Sequence, residues 1–274
     1  MTNEAEAAAT PLIIAHRGDS SRAPENTLAA FRGAVEAGAD GIEFDVRLTK
    51  EGGVVVFHDS SLDRIAGRNA KVIQLTAAEL KAVDAGSWFN LKKPKLAKAE
   101  FASERIPTLR QTLTMLGTFD GLFYIELKCR EEHVEQLARA VCDEIRDSPL
   151  LPQIVIKSFK LNAIPYVKEM CPGIRTAALF APKVRSLLRG NKHLLDIAEE
   201  SGADEISVHF ALATRKVADE AARRGLDVVI WTADHSRWLR RGMELGLKAI
   251  ITNDPAKMLA KRRELLMAKS RSKR

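Results

Sequence analysis

The sequence predicts an α/β fold of the TIM type, a (β/α)8 barrel with a small insertion after the hairpin of its second strand. Three observations predict it. Eight short apolar, β-rich runs recur along the 274 residues, amphipathic stretches with helical spacing separate them, and the length suits one barrel rather than two domains. Eight alternations favour a parallel barrel over a doubly wound open sheet, because each right-handed crossover returns the chain to the same end.

The β-rich runs are residues 12–15, 41–46, 122–127, 154–158, 175–179, 205–208, 228–231 and 249–251. Helical spacing marks residues 27–37, 133–146, 160–170, 214–224 and 237–245. Two stretches interrupt the alternation. TKEGG, within residues 47–58, separates two β-rich runs and reads as a hairpin turn. Residues 59–107 form a Gly/Pro/Lys-containing segment with one helical candidate at 76–83, too long for a plain loop and therefore a small inserted subdomain. The resulting organisation is a flexible N-terminal tail over 1–11, a barrel over 12–259 with its insertion at about 59–107, and a basic C-terminal tail over 260–274.

Composition narrows the function. No run of eighteen apolar residues occurs, and MTNEAEAAAT lacks a secretory apolar core, so a cytoplasmic location is expected. Cys129, Cys142 and Cys171 are far apart and odd in number, which reads as reduced thiols without a disulfide framework. The net charge of +7 is held entirely by residues 257–274, with eight Lys/Arg against one Glu. The rest of the chain is neutral. No aromatic interleaving or nucleic-acid motif accompanies the tail, so no nucleic-acid partner is expected, although the tail could touch an anionic membrane weakly. Oligomeric state is left open.

Side chains at the C-terminal strand ends of such a barrel point into its mouth. Those ends are polar here: AHRG supplies His16 and Arg17, GIEFDV supplies Glu43 and Asp45, YIELK supplies Glu126 and Lys128, and the seventh strand ends at Trp231. Alternation puts Glu43 with Asp45, and Glu126 with Lys128, on shared faces. Three carboxylates can thus converge, and a hard divalent cation, Mg²⁺ or Ca²⁺, is the economical way to neutralise them. The alternative is that each acid pairs with a Lys or Arg, although GIEFDV itself contains none. A two-residue turn at Glu51-Gly52 would set Asp45 opposite His58, a turn one residue later keeps the parity, and either brings His58 back to the mouth. Two imidazoles suit proton transfer to and from oxygen, and Arg17 and Lys128 suit phosphate. The set matches phosphoester cleavage better than acyl or glycosyl transfer, and neither a GxSxG elbow nor a GxxxxGK(S/T) loop is present.

HRGDSSRAPENT, GIEFDVRLTKEGGVVVFHD, SLDRIAGR, LTAAELKAVDAGSWF, RIPTL, YIELK, VIKSF, WTAD and ITNDP follow one another in an order and spacing that resembles the glycerophosphodiester phosphodiesterases, across roughly residues 12 to 259. The resemblance implies a barrel with an insertion after the HD motif, cleavage of a small-molecule glycerophosphodiester to glycerol 3-phosphate and an alcohol, and one divalent cation, Mg²⁺ or Ca²⁺. Carried onto this chain, it implies Glu43, Asp45 and Glu126 as metal ligands, His16 and His58 as the acid/base pair, and Arg17 and Lys128 as phosphate contacts. It also implies Glu25 and Asn26 bracing the first loop, and Trp231 lining the glycerol or leaving-group side. Asp19 departs from the family pattern and is expected to add negative charge near the mouth. Asn253 stands where Asp is common and is expected to lie outside the chemistry. The basic segment KKPKLAKAEFASER is expected to bear on which alcohol is accepted. Ser207 and His209 read equally well as site or scaffold, and Trp88 and Phe89 as packing for the insertion. The competing readings are a lysophospholipase D at a membrane surface and a non-catalytic phosphodiester-binding barrel.

Overall fold

A computed structural model describes residues 10–182 and 191–272 of the chain, so the tail expected over residues 1–11 lies outside the described residues up to residue 9. The strands are β1 (Leu12–His16), β2 (Gly41–Leu48), β3 (Val54–Val56), β4 (Ser61–Leu62), β5 (Arg68–Lys71), β6 (Leu122–Leu127), β7 (Ile154–Ser158), β8 (Arg175–Phe180), β9 (Glu205–His209), β10 (Asp227–Trp231) and β11 (Ala249–Thr252). Eight of them pair in parallel in the order β1-β11-β10-β9-β8-β7-β6-β2, and β2 pairs back onto β1, which closes the expected barrel.

Side-chain caps start three of the crossover helices. Thr27, Thr108 and Thr214 each accept a backbone N–H of the first turn, capping the helices Leu28–Ala37, Leu109–Met115 and Arg215–Arg223. The helices Leu109–Met115 and Asn191–Glu200 complete the crossovers that the spacing left unassigned. The barrel interior is filled by Ile14, Tyr124, Val155, Ala177, Val229, Ala249 and Ile251. The interior is therefore a packed core beneath the mouth rather than a pore. Gly41 is needed where β1, β2 and β6 converge, since a Cβ there would stand 2.6 Å from the Leu122 carbonyl oxygen and 2.7 Å from Ile14 Cδ1.

The hairpin differs from the expected register. Val46 pairs with Val56 and Leu48 with Val54, so Asp45 lies across from Phe57 rather than His58. Gly52, at φ +85°, adds a third loop residue between Thr49 and Gly53, and three-residue hairpins with a left-handed glycine shift pairing by one. His58 reaches the mouth by another route. β3 ends at Val56, and Arg47 donates through Nε (2.8 Å) and Nη2 (2.6 Å) to the His58 carbonyl, pinning the chain as it leaves the ladder.

The insertion has its own core of Phe57, Leu62, Ile65, Val72, Leu80 and Ile106, beside the small β4–β5 sheet. Its helical candidate is the helix Ala77–Lys81, held by a Thr76–Glu79 capping box. Phe89 is fully buried against Phe101, and Trp88 sits partly buried above the small core, so both pack the insertion. The C-terminal segment continues as one helix, Pro255–Ser272, across the expected boundary at 259. Met258 and Leu259 are buried, and Arg262 pairs with Asp40, just before β2 at the far end of the barrel. This helix carries the basic residues away from the mouth. No helix among the described residues is long and apolar enough to cross a membrane.

Candidate active site

The polar strand ends do converge. Register sets His16 beside Glu43 across β1 and β2, and aligns Asp45, Glu126 and Lys157 across β2, β6 and β7. Glu43, Asp45 and Glu126 are buried, and one carboxylate oxygen from each lies within 4.8 Å of the others. Three cations are lodged among them. Lys157 Nζ is 2.8 Å from Glu43 Oε1, Arg17 Nε 3.1 Å from Asp45 Oδ2, and Lys128 Nζ 2.5 Å from Glu126 Oε1 and 3.4 Å from Asp45 Oδ1. The pairing alternative is thus realised, and through a lysine in the apolar run IVIKS that sequence reasoning passed over. The need for charge neutralisation alone no longer argues for a metal. What does is the donor set: three buried carboxylates converge with one oxygen each, and Asp45 Oδ1 has no partner nearer than Lys128 Nζ at 3.4 Å. Three hard, convergent carboxylate oxygens fit a divalent cation.

Burial and neighbours push these acids apart. Burial raises Glu126 to about 7, helped by the adjacent Asp45 charge. Burial opposes ionisation at Asp45 and Glu43 too, but Arg17 and Lys128 outweigh it at Asp45, and Lys157 with His16 at Glu43, leaving both below the usual carboxylate range.

Each histidine is held by its Nδ1. His16 Nδ1 lies 2.7 Å from Asn253 Oδ1, which also accepts from Ser20 Oγ at 3.0 Å. Asn253 Nδ2 donates to Asp234 Oδ2 at 2.8 Å, and since a carboxylate can only accept, the amide must turn its oxygen to His16. His16 therefore carries its hydrogen on Nδ1 and presents Nε2 inward, 3.8 Å from Glu43 Oε2. Asn253 consequently touches the candidate chemistry, contrary to expectation. The β11 end meets the β1 end only because the barrel closes. His58 Nδ1 lies 2.7 Å from Asp59 Oδ1, and Asp59 Oδ2 accepts from Arg64 Nε at 2.6 Å.

Glu25 and Asn26 do more than brace a loop. Glu25 accepts from Arg17 and Arg64, linking the two histidine neighbourhoods, while Asn26 Nδ2 donates to Asp45 Oδ2 at 2.9 Å. Arg17 and Asn26 adopt left-handed backbone, at φ 55° and 57°, a conformation that costs energy and clusters at functional sites. The intervening Gly18 has no room for a side chain, since a Cβ would lie 2.6 Å from the backbone of Ala30. Asp19 instead packs against Gly33 on the first helix and faces Arg22, so it adds no charge to the carboxylate cluster. Trp231 stands at the rim among Phe159 and His209, with both ring centroids 5.5 Å away. Ser207 is buried, its Oγ without a hydrogen bond, and its carbonyl accepts from Trp231 Nε1.

Residues 16–257 match the pattern of the glycerophosphoryl diester phosphodiesterase family. The chain belongs to that family. A glycerophosphodiester phosphodiesterase of Caldanaerobacter subterraneus subsp. tengcongensis is 33% identical over 248 residues, covering 90% of this chain and 96% of the relative. An Oleispira antarctica phosphodiesterase, solved with the product sn-glycerol-3-phosphate, superposes with a TM-score of 0.81 at 26% identity, covering 93% of this chain and 97% of the other. The Thermotoga maritima glycerophosphodiester phosphodiesterase superposes with a TM-score of 0.71 at 25% identity, covering 92% and 98%. Membership in this phosphodiesterase family makes the chain an enzyme and assigns its fold.

Proposed function

We propose that the mouth hydrolyses glycerophosphodiesters to glycerol 3-phosphate and an alcohol, with His16 and His58 as the acid/base pair. The observation that carries this reading is the meeting of two Nδ1-anchored imidazoles with a buried three-carboxylate cluster in one mouth. Glu43, Asp45 and Glu126 would hold one Mg²⁺ or Ca²⁺, which would offset charge gathering on the phosphate oxygens. Arg17 and Lys128 orient the phosphate. One imidazole Nε2 takes a proton from the attacking hydroxyl as its oxygen bonds to phosphorus. The other gives a proton to the departing alcohol oxygen as its bond to phosphorus breaks. Glu25 and Asn26 keep Arg17 and Asp45 in place, and Trp231 closes the side where glycerol or the alcohol lies. The test is release of glycerol 3-phosphate from glycerophosphocholine and glycerophosphoethanolamine, with EDTA and with Mg²⁺ or Ca²⁺ restored. Metal-restored release supports the reading, and no release under any metal rejects it.

One observation favours a second reading, a lysophospholipase D. Leu91 is 83% exposed and Leu96 43%, and Lys92, Lys93 and Lys95 lie between them. Lys93 Nζ donates to the Ser21 carbonyl in the loop after β1, so this amphipathic segment borders the mouth and suits an anionic lipid surface. The basic tail does not share that face. Faster turnover of a lysophospholipid than of glycerophosphocholine would establish the second reading.

A further inference from the structure

We infer that a cationic pocket beside the mouth receives an anionic group, phosphate or carboxylate, on the alcohol half of the substrate. The inference rests on the phosphodiesterase reading above and extends it to substrate class. The pocket has a volume of about 440 Å³ and is walled by Arg47, Lys71, Lys128, Arg130, His133 and Gln74, with no acidic side chain in its lining. A larger cavity of about 650 Å³ in the insertion has Asp63, Glu79 and Asp84 among its cations and offers an anion no such preference.

The cationic pocket backs directly onto the reaction centre. Lys128 belongs to both, and Arg47 Nη1 donates to the Lys128 carbonyl at 3.2 Å while its other nitrogens hold the His58 carbonyl. Arg47 is a partly buried guanidinium which Asp45, Asp59 and Glu126 reach only from beyond ion-pair distance among the described residues, and Lys71 has no carboxylate at that distance either. Arg130 pairs with the exposed Glu132. Arg47 and Lys71, without a carboxylate of their own, face further cations across this pocket, and a bound anion relieves the repulsion between them. A guanidinium already oriented by two carbonyls recognises phosphate or carboxylate with little further ordering. An alcohol leaving from phosphorus between His58 and Lys128 would carry its far end towards this wall.

The test compares two diesters that differ by one group, glycerophosphoglycerol and the same compound with a phosphate monoester on its terminal hydroxyl. At low ionic strength, kcat/KM is expected to be at least tenfold higher for the phosphorylated diester, with the ratio falling towards one in Lys71→Glu/Arg130→Glu. Equal kcat/KM for the two diesters, or a preference untouched by the double variant, would overturn the inference while leaving the hydrolase reading intact. Calorimetric binding of both diesters separates the two failures. Tighter binding of the phosphorylated one, lost in the double variant but without turnover, would retire the hydrolase and keep the anion pocket. Inorganic phosphate that alters glycerophosphoglycerol turnover through Lys71 and Arg130, with no preference between diesters, would put a free anion there instead and overturn the inference.

Discussion

Each end of the barrel buries a carboxylate whose ionisation burial makes difficult, yet the two are treated differently. At the closed end, Glu205 is 1% exposed and raised by burial, but both its oxygens are used: Tyr124 OH donates to one at 2.9 Å and Lys248 to the other at 2.6 Å. At the mouth, Glu126 is 5% exposed and raised to about 7, and its close partner, Lys128 Nζ at 2.5 Å from Oε1, also faces Asp45 at 3.4 Å. A buried acid with a donor on each oxygen rigidifies a scaffold, whereas clustered buried acids that share their cations are retained at a cost that function must justify. The contrast also separates the lysines. Lys248 shares its charge with exposed Asp227, while Lys157, 2% exposed, has mouth carboxylates as its ion-pair partners among the described residues.

The sharpest way to break this comparison is at the reaction itself. His16→Ala and His58→Ala are each expected to lower kcat by about 10² to 10⁴ while leaving the cation-induced rise in Tm in place. Near-normal turnover in either variant would remove the pair from the chemistry. Smaller, but measurable in equilibrium unfolding, is the difference between the lysines. Lys157→Met strands Glu43 and should cost about 3–5 kcal/mol in EDTA, with much of it recovered by Mg²⁺ or Ca²⁺. Lys248→Met should cost about 1–3 kcal/mol, with no recovery on adding metal. Equal metal recovery for both would end the distinction between the two ends.

The third effect is pH-dependent. Glu126 has a folded pKa of about 7, above its ordinary 4.5, so its favourable contribution is complete below the unfolded value and is lost as pH rises towards 7. Without metal, wild type should therefore lose stability relative to Glu126→Gln between roughly pH 4.5 and 7, on the order of 3 kcal/mol at most. Glu205→Gln should show the same sign, since burial also raises Glu205. Divalent cation should reverse the loss at Glu126 by favouring the ionised ligand and leave it unchanged at Glu205. Chemical unfolding at several pH values, with and without metal, reads both. A cation effect on the Glu205 comparison would show that the ion acts outside the mouth.

Much of the fold and half of the site could be read along the chain, because the relevant information is periodic and local. Strand-helix alternation implied the barrel, and two-residue alternation implied that Glu43, Asp45 and Glu126 share the interior. Where the reading depended on a count of loop residues it slipped. Gly52 as a third loop residue moved the register by one, and His58 arrived through Arg47 rather than through pairing parity. Lys157 looked like an ordinary strand residue because its partners lie on β2 and β6, two elements that no spacing rule connects to β7.

The sequence by itself determined the barrel, its insertion, the family and the acidic and imidazole residues that the mouth would contain. Tertiary structure alone decided which partner each of them has: Asn253, 237 residues from His16, directs its Nδ1, and Lys157 stands against Glu43. It also decided that the basic tail leaves from the far end while Arg47 and Lys71 share a pocket. The physical reason is that alternation tells which face a side chain takes, whereas its partners depend on the stagger with which eight strands close into a ring.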